Sequence, residues 1–175
     1  MHLDFRGLSL DALVDSTHWA KSGKGRVDQP HFAKCREGGL QLGEELPSNA
    51  QLSDDLRSAY VTLGDLHLEE SFSLAMHLKN PTSRCRDSTH LFAMENGWSN
   101  VVLLKLDGGQ LQFWVCNPDW NQRHHISAPV QDGALYAIVA TYRASDGLMK
   151  LYLNGQEVAS GNAKTTEIKG PRPES

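Results

Sequence analysis

The chain lacks most of the features that mark a functional class. No run of about 18 apolar residues occurs, so no helical membrane span is encoded. Basic residues are not in excess: 17 Lys and Arg face 21 Asp and Glu, for a net charge of −4. That balance excludes the electrostatic footprint of a nucleic-acid binder and gives no attraction to an anionic membrane surface. Cysteine is scarce. Cys35, Cys85 and Cys116 form no CxxC pair, which excludes a thiolate zinc site. One disulfide with one free thiol, most readily using Cys85 in the polar stretch 82–89, and three free thiols both remain open. The start, MHLDFRGLSLDALVDST, has acidic residues where a secretion signal carries basic ones and has no apolar central region. The expectation is either a protein not exported by the common route or an excised piece. No long segment shows apolar residues at helical spacing: residues 8–14 allow a turn or two, and 51–58 is a short polar stretch read as 3₁₀ or loop. Ser22-Gly23-Lys24-Gly25 lacks the spacing of a phosphate-binding loop. No internal repeat and no low-complexity segment is found.

What the chain has in abundance is strand periodicity. Within 132–161, Tyr136, Ile138, Ala140 and Tyr142 alternate with Ala137, Val139 and Thr141. Ser145-Asp146-Gly147 then supplies turn chemistry. Leu148 to Leu153 alternate again, and Asn154-Gly155, a strong hairpin signal, follows. Residues 71–79 alternate most cleanly: Phe72, Leu74, Met76 and Leu78 against Ser71, Ser73, Ala75, His77 and Lys79. The apolar set is expected in the core, at about 1.5–3 kcal/mol for each fully buried large side chain. Further strands are predicted at 3–7, 38–43, 59–63, 90–95, 100–106 and 110–116, the last two forming a hairpin about Asp107-Gly108-Gly109. Many short strands separated by Gly, Asn and Asp turns predict an all-β protein of antiparallel sheets packed face to face.

Five segments stand in an informative order: Leu40-Gln41-Leu42-Gly43, Tyr60-Val61-Thr62-Leu63, Ser71 to Lys79, Gly109 to Val115, and Tyr136 to Ala159. In them the chain resembles the laminin G-like, concanavalin A-like jelly-roll domains, over about residues 38–162. His77 and Tyr136 stand where that family usually has tryptophan. The resemblance implies a jelly-roll β-sandwich, taken as one domain over 1–163 with a polar tail or linker at 164–175. It also implies an extracellular setting, although no signal peptide is present in this sequence. In the family a further segment follows the stretch matched by Asn154 to Ala159, ending in a last strand that pairs back near the N-terminus. Here the chain is expected to end before a closing strand, leaving the C-terminal strand missing, either by truncation or because another chain completes the sheet. An open inner edge of that kind is a pairing site.

Three kinds of site are predicted. Sugar binding needs an aromatic to stack on a pyranose face and polar groups beside it. Trp120 with Asn117, Asp119, Asn121, Gln122 and Arg123, and Trp98 between Gly97 and Ser99, are expected in rim loops and offer both. Calcium, which family resemblance suggests as a cofactor, needs hard oxygen ligands. Asp87, Asn96 and Asn100 are the leading candidates, with Glu95, Asn117 and Asp119 beside them. For catalysis, period two places Asp65, His67 and Glu69 on one face, with Glu70 adjacent. Jelly-roll glucanases use paired carboxylates in this setting, but in the order E-x-D-x-x-E, which the segment lacks. His124-His125 is a weak metal pair, since adjacent strand residues point to opposite faces.

The function expected is therefore a non-catalytic binding module that recognises carbohydrate or a protein partner through rim loops. The alternative is a structural or assembly subunit with no small ligand. A glycoside hydrolase is the distant third.

Overall fold

A computed structural model of the chain describes residues 26–28, 33–36, 39–42, 60–62, 71–79, 89–96, 99–117 and 121–163. Two units divide the chain, Met1–Leu66 and His67–Ser175. In the first, β1 (Arg26–Asp28), β2 (Ala33–Arg36), β3 (Gly39–Leu42) and β4 (Tyr60–Thr62) form two antiparallel pairs. β1 pairs with β4, Arg26 opposite Thr62, and β2 with β3, Ala33 opposite Leu42. The strands predicted at 38–43 and 59–63 are β3 and β4. The strand predicted at 3–7, the helical turns at 8–14 and the 3₁₀ or loop stretch at 51–58 lie outside the described residues.

Among the described residues the second unit holds eight strands: β5 (Phe72–Lys79), β6 (Thr89–Asn96), β7 (Ser99–Asp107), β8 (Gln110–Cys116), β9 (Arg123–Pro129), β10 (Leu135–Arg143), β11 (Leu148–Leu153) and β12 (Gln156–Asn162). They form two four-stranded antiparallel sheets, ordered β12-β11-β10-β5 and β6-β7-β8-β9. After β5 the chain builds the whole second sheet before returning to lay β10 beside β5, Leu135 opposite Lys79 and Tyr142 opposite Phe72. No helix occurs among the described residues.

Alternation explains how the sheets close on each other. In β8, Leu111, Phe113 and Val115 are fully buried while Gln112 and Trp114 are half-buried on the other side. In β10 and β11, Ile138, Ala140, Tyr142, Met149, Leu151 and Leu153 point inward and are buried. One cluster joins these residues with Leu74 of β5 and Ile126 and Ala128 of β9. Phe72 meets Phe113 edge-on across the sandwich, with ring centroids 6.3 Å apart. The inward set of β5 is core as predicted, with Leu74 buried and Phe72, Met76 and Leu78 half-buried, while its alternate residues are exposed.

The turns follow from the sequence. Asn154 and Gly155 both adopt positive φ (52° and 82°), the backbone a two-residue hairpin needs between Leu153 and Gln156. The Asn154 N–H donates to the Ala137 carbonyl at 2.8 Å, and its Oδ1 accepts from the Ala137 N–H at 2.9 Å. The turn is thus tied to β10.

β12 runs antiparallel along β11 from Gln156 to Asn162, so the segment directly after Asn154-Gly155 is itself a strand. The closing strand expected to be missing is a later one, which would lie past Ala163. The residues of β12 are exposed or half-buried and include little apolar bulk, so hydrophobic alternation could not reveal it. Small side chains are required there: a Cβ at Gly161 would stand 2.7 Å from Ile126 Cγ2 of the facing sheet. Residues 164–175 lie outside the described residues.

Candidate functional site

The connection between β8 and β9 is built around one side chain. The Asn117 N–H donates to the Gln122 carbonyl at 3.1 Å. The Gln122 N–H donates back to Asn117 Oδ1 at 2.9 Å. Asn117 Nδ2 donates to Asn121 Oδ1 at 2.6 Å. Asparagine suits this position because its short amide satisfies backbone groups that a turn leaves without ladder partners. Asn117 therefore holds the frame, and Asn121, Gln122 and Arg123 are exposed on it. Arg123 was expected in a loop; it is the first residue of β9 and stands opposite Cys116. Pairing across the β8–β9 ladder, set by register, carried it into the sheet.

Cys116 is buried, with 1 % of its surface exposed, and its thiol is free. Burial pushes its pKa up, and the Arg123 charge pulls in the opposite direction. Cys35 lies in β2, and Cys85 lies outside the described residues.

The outer face of the β6–β9 sheet continues the site. Register places Ala93, Leu103, Trp114 and His125 in one row across the four strands, and Lys105, Gln112 and Ser127 in the next. The Trp114 and His125 rings stack, with centroids 4.2 Å apart and planes 16° apart. Lys105 Nζ sits 5.4 Å from the indole centroid. Trp114 Nε1 donates to Gln112 Oε1 at 2.9 Å, and Lys105 Nζ to Asp107 Oδ2 at 2.9 Å. The indole is flanked from β7 by a cation and from β9 by an imidazole. A cation–π contact at such a site is worth about 0.5–1 kcal/mol. Alternation alone marks Trp114 as outward-facing, but only the register of β9 brings His125 beside it.

The predicted residues divide as follows. Asn117, Asn121 and Arg123 come together at the β8–β9 end. Asn96 closes β6 opposite Ser99, and Asn100 stands opposite Glu95. Val102 pairs with Val115 and Val115 with His124. The start of β7, the end of β8 and the start of β9 thus share one end of the sheet, which brings Asn96 and Asn100 to the same end as Asn117. Trp98, Trp120, Asp119 and Asp87 lie outside the described residues, as do Asp65, His67, Glu69 and Glu70. Among the described residues no group of three or more His, Cys, Asp or Glu side chains is placed to hold a metal ion. His124 and His125 alternate between the faces of β9, His124 half-buried and His125 exposed.

A comparison with curated proteins finds no match. The family model described as the concanavalin A-like lectin/glucanases superfamily matches residues 55–173, which include every strand of the sandwich. The paired antiparallel sheets agree with that match, and the chain belongs to the concanavalin A-like lectin/glucanases superfamily.

Proposed function

We propose that the chain is a non-catalytic binding module that takes carbohydrate at the β8–β9 end of the sandwich. The observation that carries this reading is the loop held by Asn117. Its three hydrogen bonds tie the two ends of the connection, Asn117 to Asn121 and Gln122, before any ligand arrives. A preformed loop lowers the ordering cost that weakens most surface sites. The groups it presents suit sugar hydroxyls: the amides of Asn121 and Gln122 donate and accept, and the Arg123 guanidinium donates. The Lys105–Trp114–His125 row lies on the same sheet and extends the polar and aromatic surface. Asp119, Trp120 and Trp98 complete the proposed set, and Asp87, Asn96 and Asn100 are the proposed Ca²⁺ ligands. Hydrolysis is not part of the proposal, because the glucanase carboxylate order is absent from the sequence.

A glycan array probed with the full chain tests this. Wild type is expected to bind saturably. Arg123→Ala should weaken binding by roughly tenfold or more, the cost of one charge-assisted hydrogen bond. Asn117→Ala should weaken it through loss of the preformed loop, and Trp98→Ala and Trp120→Ala through loss of stacking. No glycan bound by wild type would refute the carbohydrate reading. Release of reducing ends that disappears in Glu69→Gln would refute the non-catalytic one.

A further inference from the structure

The outer face of the other sheet holds an open hollow of about 570 Å³, lined by Ser71, Ser73, Thr141, Arg143, Lys150 and Tyr152 among others. Ser73, Thr141 and Lys150 are register partners on β5, β10 and β11. Two hydroxyls and an ammonium therefore stand in one row at the strand spacing of about 4.8 Å. Tyr152 lies two residues from Lys150 on the same face, opposite Glu157 of β12.

Both cations are held in place. Arg143 donates from Nε and Nη2 to the two carboxylate oxygens of Asp146, at 2.8 and 2.6 Å. Lys150 Nζ donates to Glu157 Oε2 at 2.7 Å, and Glu157 also hydrogen-bonds with Ser160 and Tyr152. Exposed ion pairs contribute little to folding by themselves. These pairs do something else: each presents a donor and an acceptor side by side in fixed positions. A sugar hydroxyl both donates and accepts, so a vicinal diol can bridge an ammonium and a carboxylate already set at hydrogen-bond distance. The two pairs carry no net charge, which favours a neutral ligand over an anion.

We propose that this hollow is a second ligand site, taking a neutral polyhydroxylated chain through Ser73, Thr141, Lys150 and Tyr152. It lies on the face of the sandwich opposite the β6–β9 sheet and stands or falls independently of the β8–β9 site. With both sites occupied, one domain would tether two glycan strands.

The test is a titration of the ¹⁵N-labelled full chain with maltohexaose and, in parallel, cellohexaose, followed by amide chemical shifts. At least one sugar should give saturable shifts at Ser73, Thr141, Lys150 and Tyr152, with a Kd on the order of 1 mM. Shifts at 117–127 report the other site and are counted separately. Lys150→Met keeps the side-chain stem and should weaken the interaction by roughly tenfold or more. Thr141→Val, close in shape, should weaken it with the fold intact by circular dichroism. No saturable shift at the four residues, or equal affinity in both variants, overturns the proposal. Tighter binding of a sulfated hexasaccharide at the same residues overturns the neutral ligand class.

Discussion

Gly147 offers a sharp test of the fold, because its position makes two demands that suit glycine, a positive φ and no room for a Cβ. It sits in the four-residue connection between β10 and β11 with φ of +71°. A Cβ there would collide with the Ala163 carbonyl oxygen and lie 2.8 Å from its carbon and 3.2 Å from Asn162 Oδ1. The Gly147 carbonyl in turn accepts a hydrogen bond from the Ala163 N–H at 2.7 Å. The Asn162 side-chain amide donates to the Asp146 carbonyl. The connection thus clamps the end of β12. Gly147→Ala should cost about 1–2 kcal/mol for the left-handed backbone. Displacing the end of β12 from its hydrogen bond adds about 0.5–1.5 kcal/mol. The total, about 1.5–3.5 kcal/mol, is a large part of a domain's stability. Gly133→Ala is the matched control: its φ is +72°, but nothing lies within 4 Å of the added Cβ. It should show the backbone cost alone. Urea unfolding followed by tryptophan fluorescence gives both values, read from midpoints at constant m. If Gly147→Ala is no more destabilising than Gly133→Ala, the clamp on β12 is wrong.

Two further outcomes follow from the titratable groups. Hydrogen bonding to Arg143 holds the Asp146 carboxyl below its usual range, and hydrogen bonding to Lys150 does the same for Glu157. A carboxylate whose pKa falls on folding adds stability above its unfolded value, and that contribution is lost as pH drops through the folded value. Stability should therefore decline as pH falls below about 4, and Asp146→Asn with Glu157→Gln should flatten that decline in urea midpoints measured across acid pH. An unchanged slope in the double variant would sink the assignment. Cys116 is buried with a raised thiol pKa, so an aromatic disulfide reagent should reach it only after unfolding. Cys116→Ala should lower the thiol count in denaturant by one and leave the native count unchanged; a lower native count would contradict the burial.

Most of the second unit is legible in the sequence, and the reasons are local. β8 and β11 coincide with their predicted spans because alternating apolar residues end at turn residues on both sides, Asp107-Gly108-Gly109 before β8 and Asn154-Gly155 after β11. The hairpins are equally local, since a two-residue turn fixes register at once. β9 and β12 were missed for a different reason. β9 reads Arg-His-His-Ile-Ser-Ala-Pro, with only Ile126 and Ala128 buried, and β12 presents no apolar face. Both are held by the strand beside them more than by their own pattern. The pairing of β10 with β5 is a third case: it joins Tyr142 to Phe72, far back in the chain, and nothing in either segment names the other.

The site shows the same division between local and non-local information. A search for loop tryptophans follows from the rule that tryptophan is usually covered, and it directs attention to Trp98 and Trp120. Trp114 passes unnoticed because a strand tryptophan opposite a buried set looks like ordinary alternation. What makes it part of a surface feature is the stack on His125, and that stack depends on register. Had β9 slipped by one residue against β8, His124 would stand opposite Trp114, and Ile126 would turn outward while His125 turned toward the core. The register is set where the chain reverses, between Cys116 and Arg123, and there Asn117 ties the two ends together through Gln122 and Asn121. The loop and the aromatic row are therefore one device. Asn117 presents Asn121, Gln122 and Arg123 directly, and it presents the Lys105–Trp114–His125 row indirectly, by holding β9 in the register that sets His125 beside Trp114 and Ile126 beside Phe113. A single asparagine in a turn can in this way govern the placement of residues it never touches.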